Sequence, residues 1–213
     1  MKNIFYKVFA WLFVGLLVTF ASGYLVSTNL NLLTAIFAGS GYWIIFILEI
    51  VIAIVLGARI NKMAPTTAKI LYVLYAGLTG LTFSSIFIIY DMISVMLVFL
   101  ISSILFGIFA LIGKTTKMDL SKIGTYLIMG LLAIIILEIV NIFVMNQTLD
   151  MATCIISIII FFGYIAFDMQ RLARLDAAGY GSDNIAIYSA FQLYLDFINL
   201  FVKLLRLFGK ERD

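Results

Sequence analysis

Four acidic residues lie inside long apolar runs: Glu49, Glu138, Asp168 and Asp196. In a bilayer each costs roughly 2.5–3.5 kcal/mol at mid-depth on insertion scales, and such residues usually mark ion or proton routes. A second pattern follows Asp196. Asp196, Asn199, Lys203, Arg206 and Lys210 recur at spacings of 3, 4, 3 and 4, which places them on one helix face. Leu195, Phe197, Ile198, Phe201, Leu205 and Phe208 occupy the other side. A polar stripe on an apolar helix faces a protein interior or a water-filled path. An ion-pair network that only holds helices together is the alternative, and the sequence leaves both open. The chain has no His and one Cys. Zinc sites of the usual kind, Ser-His and Cys-His catalysis, imidazole pH sensing and a disulfide framework are therefore excluded. Cys154 reads as an inert apolar filler.

The elements that must position these groups are membrane helices. Of 213 residues, 64% are hydrophobic and 12% charged, against about 45–50% and 25% in soluble domains. Mean hydropathy is +1.17. A span needs about 20 apolar residues, and seven stretches qualify: residues 8–27, 37–58, 68–90, 92–113, 123–145, 152–169 and 185–208. The expectation is one integral membrane domain over 1–213, an all-α bundle of seven transmembrane helices. The first stretch reads as a span, because its apolar run exceeds a typical signal-peptide core.

Helix arithmetic suggests that two of the acids meet. No breaker follows Asp168 until Gly179 and Gly181, so the sixth helix runs on to about Ala178. Ser182, Asp183 or Asn184 then caps the seventh. Asp168 and Asp196 come out about 15 and 18 Å from the turn, at similar depth in an antiparallel hairpin. Whether they face one another depends on rotation. Orientation follows from the bases. With the N-terminus cytoplasmic, Lys2, Lys7, Arg59, Lys62, Lys69, Lys114, Lys117, Lys122, Arg171 and Arg174 all fall inside. Lys203, Arg206, Lys210 and Arg212 then lie outside if the last helix spans, as expected, or return inside if it is re-entrant. The net charge of +3 carries no nucleic-acid signal.

Two packing signals stand beside these. Ala76, Gly80 and Ser84 form a small-residue face suited to close helix approach. The pentamer Ile47-Leu48-Glu49-Ile50-Val51 recurs as Ile136-Leu137-Glu138-Ile139-Val140 in a span of opposite direction, as an inverted repeat would give.

Leu193-Tyr194-Leu195-Asp196-Phe197-Ile198-Asn199-Leu200-Phe201, with Leu204-Leu205-Arg206, resembles the C-terminal signature of the Bax inhibitor family, its bacterial members above all. Phe167-Asp168-Met169-Gln170 and Gly77-Leu78-Thr79-Gly80 through Phe87 resemble family elements of helices six and three. Ile47-Leu48-Glu49 and Asn141-Ile142-Phe143 resemble those of helices two and five. The resemblance implies seven helices with the last central, and a pH-sensitive calcium leak channel of the bacterial inner membrane. It implies Asp168 and Asp196 as the pH sensor and weak site for transported Ca²⁺, and Arg59 as a latch on the pair. Glu49 would line the route, joined as pathway candidates by Glu138, Asn141, Asn199, Lys203 and Arg206. Glu138 departs from the family pattern, as a second ion ligand or a pathway residue particular to this chain.

Partners on this reading are calcium ions, protons and the lipid bilayer, with no tightly bound cofactor and no nucleic acid. Membrane-protein partners stay open, and a monomer is favoured. Enzyme chemistry is not expected: there is no HExxH pattern, and the glycines at 179 and 181 lack the context of an aspartyl intramembrane protease. A proton-coupled secondary transporter using the same acids, and a non-transporting regulator that binds other membrane proteins, are the alternatives.

Overall fold

The computed structural model describes residues 4–212, apart from the side chain of Asn61. Lys2 lies outside the described residues. Nine α-helices appear among them: α1 (Ile4–Ser27), α2 (Leu30–Phe37), α3 (Gly41–Arg59), α4 (Pro65–Phe83), α5 (Ile86–Ile89), α6 (Met92–Thr115), α7 (Ser121–Val144), α8 (Gln147–Ala177) and α9 (Asp183–Phe208). Seven segments are long and apolar enough to cross a membrane, with α4 and α5 forming one of them. The protein is an all-α membrane protein, as expected.

Several boundaries differ from the sequence reading. The second span starts at Gly41, not at residue 37, because Leu30–Phe37 forms a helix of its own. Asn29 caps it, its side chain accepting from the N–H groups of Asn31 (3.1 Å) and Leu32 (3.3 Å). Pro65 takes the first turn of α4, where its missing N–H costs nothing. At the far end Ser84 and Ser85 turn their hydroxyls back onto Leu81 and Thr82, and the helix breaks before α5. α8 is 31 residues long. Gly179, at φ +77°, makes the turn after it, a conformation that favours glycine. Ser182 then caps α9 through Ile185 N–H (3.3 Å). α9 is one unbroken helix of 26 residues.

The chain divides into two compact units. The first holds residues 1–92, 178–194 and 211–213. In it α1 packs on α4 along the small-residue face. A Cβ at Gly80 would lie 2.4 Å from the Thr19 carbonyl oxygen, so only glycine allows this approach. Thr19 Oγ1 donates to the Ala76 carbonyl (2.9 Å), and Ser22 Oγ to that of Gly77 (3.3 Å). The start of α9 is tied in by Asn184, which donates to the carbonyls of Ile60 (2.7 Å) and Met63 (2.9 Å). Asp183 bridges Lys7 (2.8 Å) and Lys69 (2.7 Å).

The second unit holds residues 93–177 and 195–210. α7 packs on α8, and α6 meets α8 through stacked Phe109 and Phe162, 4.1 Å between ring centres. Phe197 of α9 sets its ring edge-on to Phe99 and Phe106 of α6. The repeated pentamers fall in α3 of the first unit and α7 of the second. More than half of the apolar stretch of α9 is buried, against 11% in α3 and α7.

Candidate functional site

Asp168 and Asp196 meet in the second unit. α8 brings Asp168 about 14 Å up from its end at Ala177, and α9 brings Asp196 about 20 Å from its start. The side chains are buried, with 8% and 5% exposure, and the two carboxyl groups lie within hydrogen-bonding reach of each other. Asp196 Oδ2 is buried without a hydrogen-bond partner among the described residues. A buried acceptor left unpaired is costly, so this oxygen is the atom that a proton or a cation would satisfy. Two further groups reach the pair, and the sequence reading had given neither a part in it. Tyr164, four residues before Asp168 on α8, interacts electrostatically with both carboxyls. Arg171, three residues after it, is the cation whose charge acts on Asp168. Spacings of three and four along a helix were the available signal.

The remaining candidates have other partners. Arg59 closes α3 with its side chain exposed. It belongs to the first unit and the pair to the second, and none of the ion pairs among the described residues includes it. Glu49 is half-buried on α3, near Thr79 and Tyr75 of α4 and Tyr194 of α9, and Thr79 Oγ1 donates to the Tyr75 carbonyl (3.1 Å). There the Tyr194 hydroxyl meets Thr19 Oγ1 at 2.6 Å. Glu138 of α7 pairs with Lys203, and Arg206 with Asp150 at the start of α8. Asn199 donates to the Leu195 carbonyl of its own helix (2.8 Å). Asn141 caps the end of α7, accepting from Asn146 N–H (3.0 Å), beside Met145 in a left-handed conformation. Cys154 is buried, its Sγ donating to the Lys203 carbonyl (3.2 Å).

Among the described residues no three His, Cys, Asp or Glu side chains gather closely enough to hold a metal ion. A Ca²⁺ at the pair would take most of its six to eight oxygens from water and carbonyls, which suits a transient cargo. At the α6–α7 loop Arg174 holds Asp119 at 2.5 Å. Arg174 and Ser121 together hold the exposed Asp119 carboxyl down at about 2.

Seven helices long and apolar enough to cross a membrane, with a buried carboxyl pair in the second unit, define a multi-pass α-helical membrane protein. The chain belongs to the Bax inhibitor family: the family model described as "Inhibitor of apoptosis-promoting Bax1" matches residues 1–213. It is 37% identical over 212 residues to the inner membrane protein YbhL of Escherichia coli K12, covering 97% of this chain and 91% of that one. A protein of Borreliella burgdorferi is 36% identical over the same shares. A membrane protein of Streptococcus pyogenes serotype M3 is 34% identical over 167 residues, 78% of this chain and 72% of its own.

Proposed function

We propose that this protein is a pH-sensitive leak channel for Ca²⁺ and related cations, gated by the Asp168–Asp196 pair. The observation that carries the reading is the pair itself: two buried carboxyl groups within reach of each other inside membrane spans. Two carboxylates that close, in a poorly solvated site, cannot both ionise cheaply, so they share a proton. In the closed state the singly protonated pair is held by an arginine latch. Loss of the proton leaves two like charges that push α8 and α9 apart and offer oxygens to a passing cation. With no His in the chain, these carboxyls are the groups able to bring gating near neutral pH. Glu49 lines the route in the first unit. By the charge pattern the N-terminus is cytoplasmic and the C-terminus outside, in a bacterial inner membrane.

The test is Ca²⁺ flux from proteoliposomes, titrated from roughly pH 5 to 8, for wild type and the Asp168→Asn/Asp196→Asn variant. The variant should lose the pH dependence. An unchanged pH profile would sink the gating account. Uptake of a solute driven by a proton gradient would favour the transporter alternative, and pure protein that carries no ion would favour the regulator.

A further inference from the structure

Past Asp196 the polar face of α9 continues as Asn199, Lys203 and Arg206. Lys203 is seven residues on and Arg206 ten, about 10 and 15 Å along the helix. A cation moving along this face from the pair meets two positive charges in succession. Each is answered by an acid from another helix: Lys203 by Glu138 of α7, Arg206 by Asp150 of α8. Of the two cations Lys203 is the more buried, while the acids Glu138 and Asp150 are similarly half-buried, at 34% and 28% exposure. The Lys203 side chain is 13% exposed, against 47% for Arg206. Solvent and salt therefore screen Lys203 least. Asn199 cannot compensate it, since it is neutral and donates to its own helix. Glu138 is thus the group that cancels the most persistent positive charge on the stripe.

We propose that Glu138 sets charge selectivity at this end of the route, by neutralising Lys203 and so keeping the stretch beyond Asp196 passable to divalent cations. The inference rests on the reading of the chain as a cation channel. The energy of an ion beside a fixed charge scales with the ion's own charge. An unmasked Lys203 therefore raises the barrier for Ca²⁺ by twice what it adds for K⁺, and the rate factor for Ca²⁺ is the square of that for K⁺. A pair that only fastens α7 to α9 would act on folded fraction, and so on both ions alike.

The experiment measures Ca²⁺ and K⁺ fluxes in the same proteoliposomes. Glu138→Gln should lower K⁺ flux about threefold and Ca²⁺ flux about ninefold, while Glu138→Asp keeps the wild-type ratio. The double variant Glu138→Gln/Lys203→Gln should restore that ratio. Lys203→Gln alone, which leaves an acid unpaired, should raise Ca²⁺ over K⁺ and gives an independent reading if Glu138→Gln folds poorly. Equal losses for the two ions, or a double variant that keeps the lowered ratio, would overturn the proposal. A wild type that carries neither ion would overturn the channel reading and this inference together. A ratio that shifts with Glu138 while the aspartate variant keeps its pH profile would refute the gate and leave this inference standing.

Discussion

Replacing Gly80 with alanine adds one methyl group where α1 and α4 touch. Its Cβ would sit 1.8 Å from Ser22 Oγ and 2.4 Å from the Thr19 carbonyl oxygen. The serine hydroxyl can rotate away, but the carbonyl is backbone. To reach the 3.4 Å of ordinary contact, α1 must withdraw by about 1 Å, enough to forfeit up to half of each dispersion contact along the seam. The bonds from Thr19 to Ala76 (2.9 Å) and from Ser22 to Gly77 (3.3 Å) stretch with it. Crowding of this kind costs about 1–3 kcal/mol, and the two interhelical bonds about 0.6 each. Alanine's better helix propensity returns at most about 1 kcal/mol. The net loss is about 2 kcal/mol, close to a 30-fold fall in the folded-to-unfolded ratio. Unfolding by SDS in mixed micelles, followed by tryptophan fluorescence, measures it, since Trp11 packs edge-on to Tyr72 at this interface. Gly107 is the control: it is exposed, with nothing within 4 Å of an added Cβ. Gly107→Ala should stabilise by up to about 1 kcal/mol. A Gly80→Ala protein as stable as wild type would refute the claim that this glycine sets the α1–α4 distance.

Two other outcomes are expected. Arg59→Gln should raise resting Ca²⁺ flux at about pH 6, where the latched pair is closed under the proposed gate. If Arg171→Gln does so and Arg59→Gln does not, the latch lies on α8, one turn from Asp168. At the α6–α7 loop, Asp119 sits at about 2, below the ordinary value near 3.9. A depressed carboxyl stabilises above its unfolded value, and that contribution is lost as pH falls through about 2. The Asp119 side-chain carbon shift should therefore titrate near 2 in wild type and move toward about 4 in Arg174→Gln. An unmoved titration would show that the ion pair does not hold it.

The spans were legible because hydropathy is a property of composition, and the depth of Asp168 and Asp196 because a helix has a fixed rise. Gly179 and Ser182 marked the turn between α8 and α9 by their chemistry alone. Rotation about the helix axis was not legible, and it decides whether two acids at equal depth meet. The stripe on α9 was visible, yet its answering acids were not. Asp150 read as a loop residue, because the apolar run of the sixth span begins after it, whereas α8 starts at Gln147. The short helix α2 was not read as an element: residues 30–36 fell between the first two spans, and Phe37, its last residue, opened the second. Only Ala38, Gly39 and Ser40 separate α2 from α3.

Cys154 entered as a filler, and its position gives it a use. It is the one thiol in the chain, it is buried, and its hydrogen faces the backbone of the residue that carries the Lys203 charge. A maleimide reaches that sulfur only when this packing loosens, and the bond to the Lys203 carbonyl is one that parting α8 from α9 would break. Under the proposed gate the unaltered protein thus carries its own reporter: the rate at which Cys154 is alkylated would follow the parting of α8 and α9, one ion-pair layer beyond the aspartates.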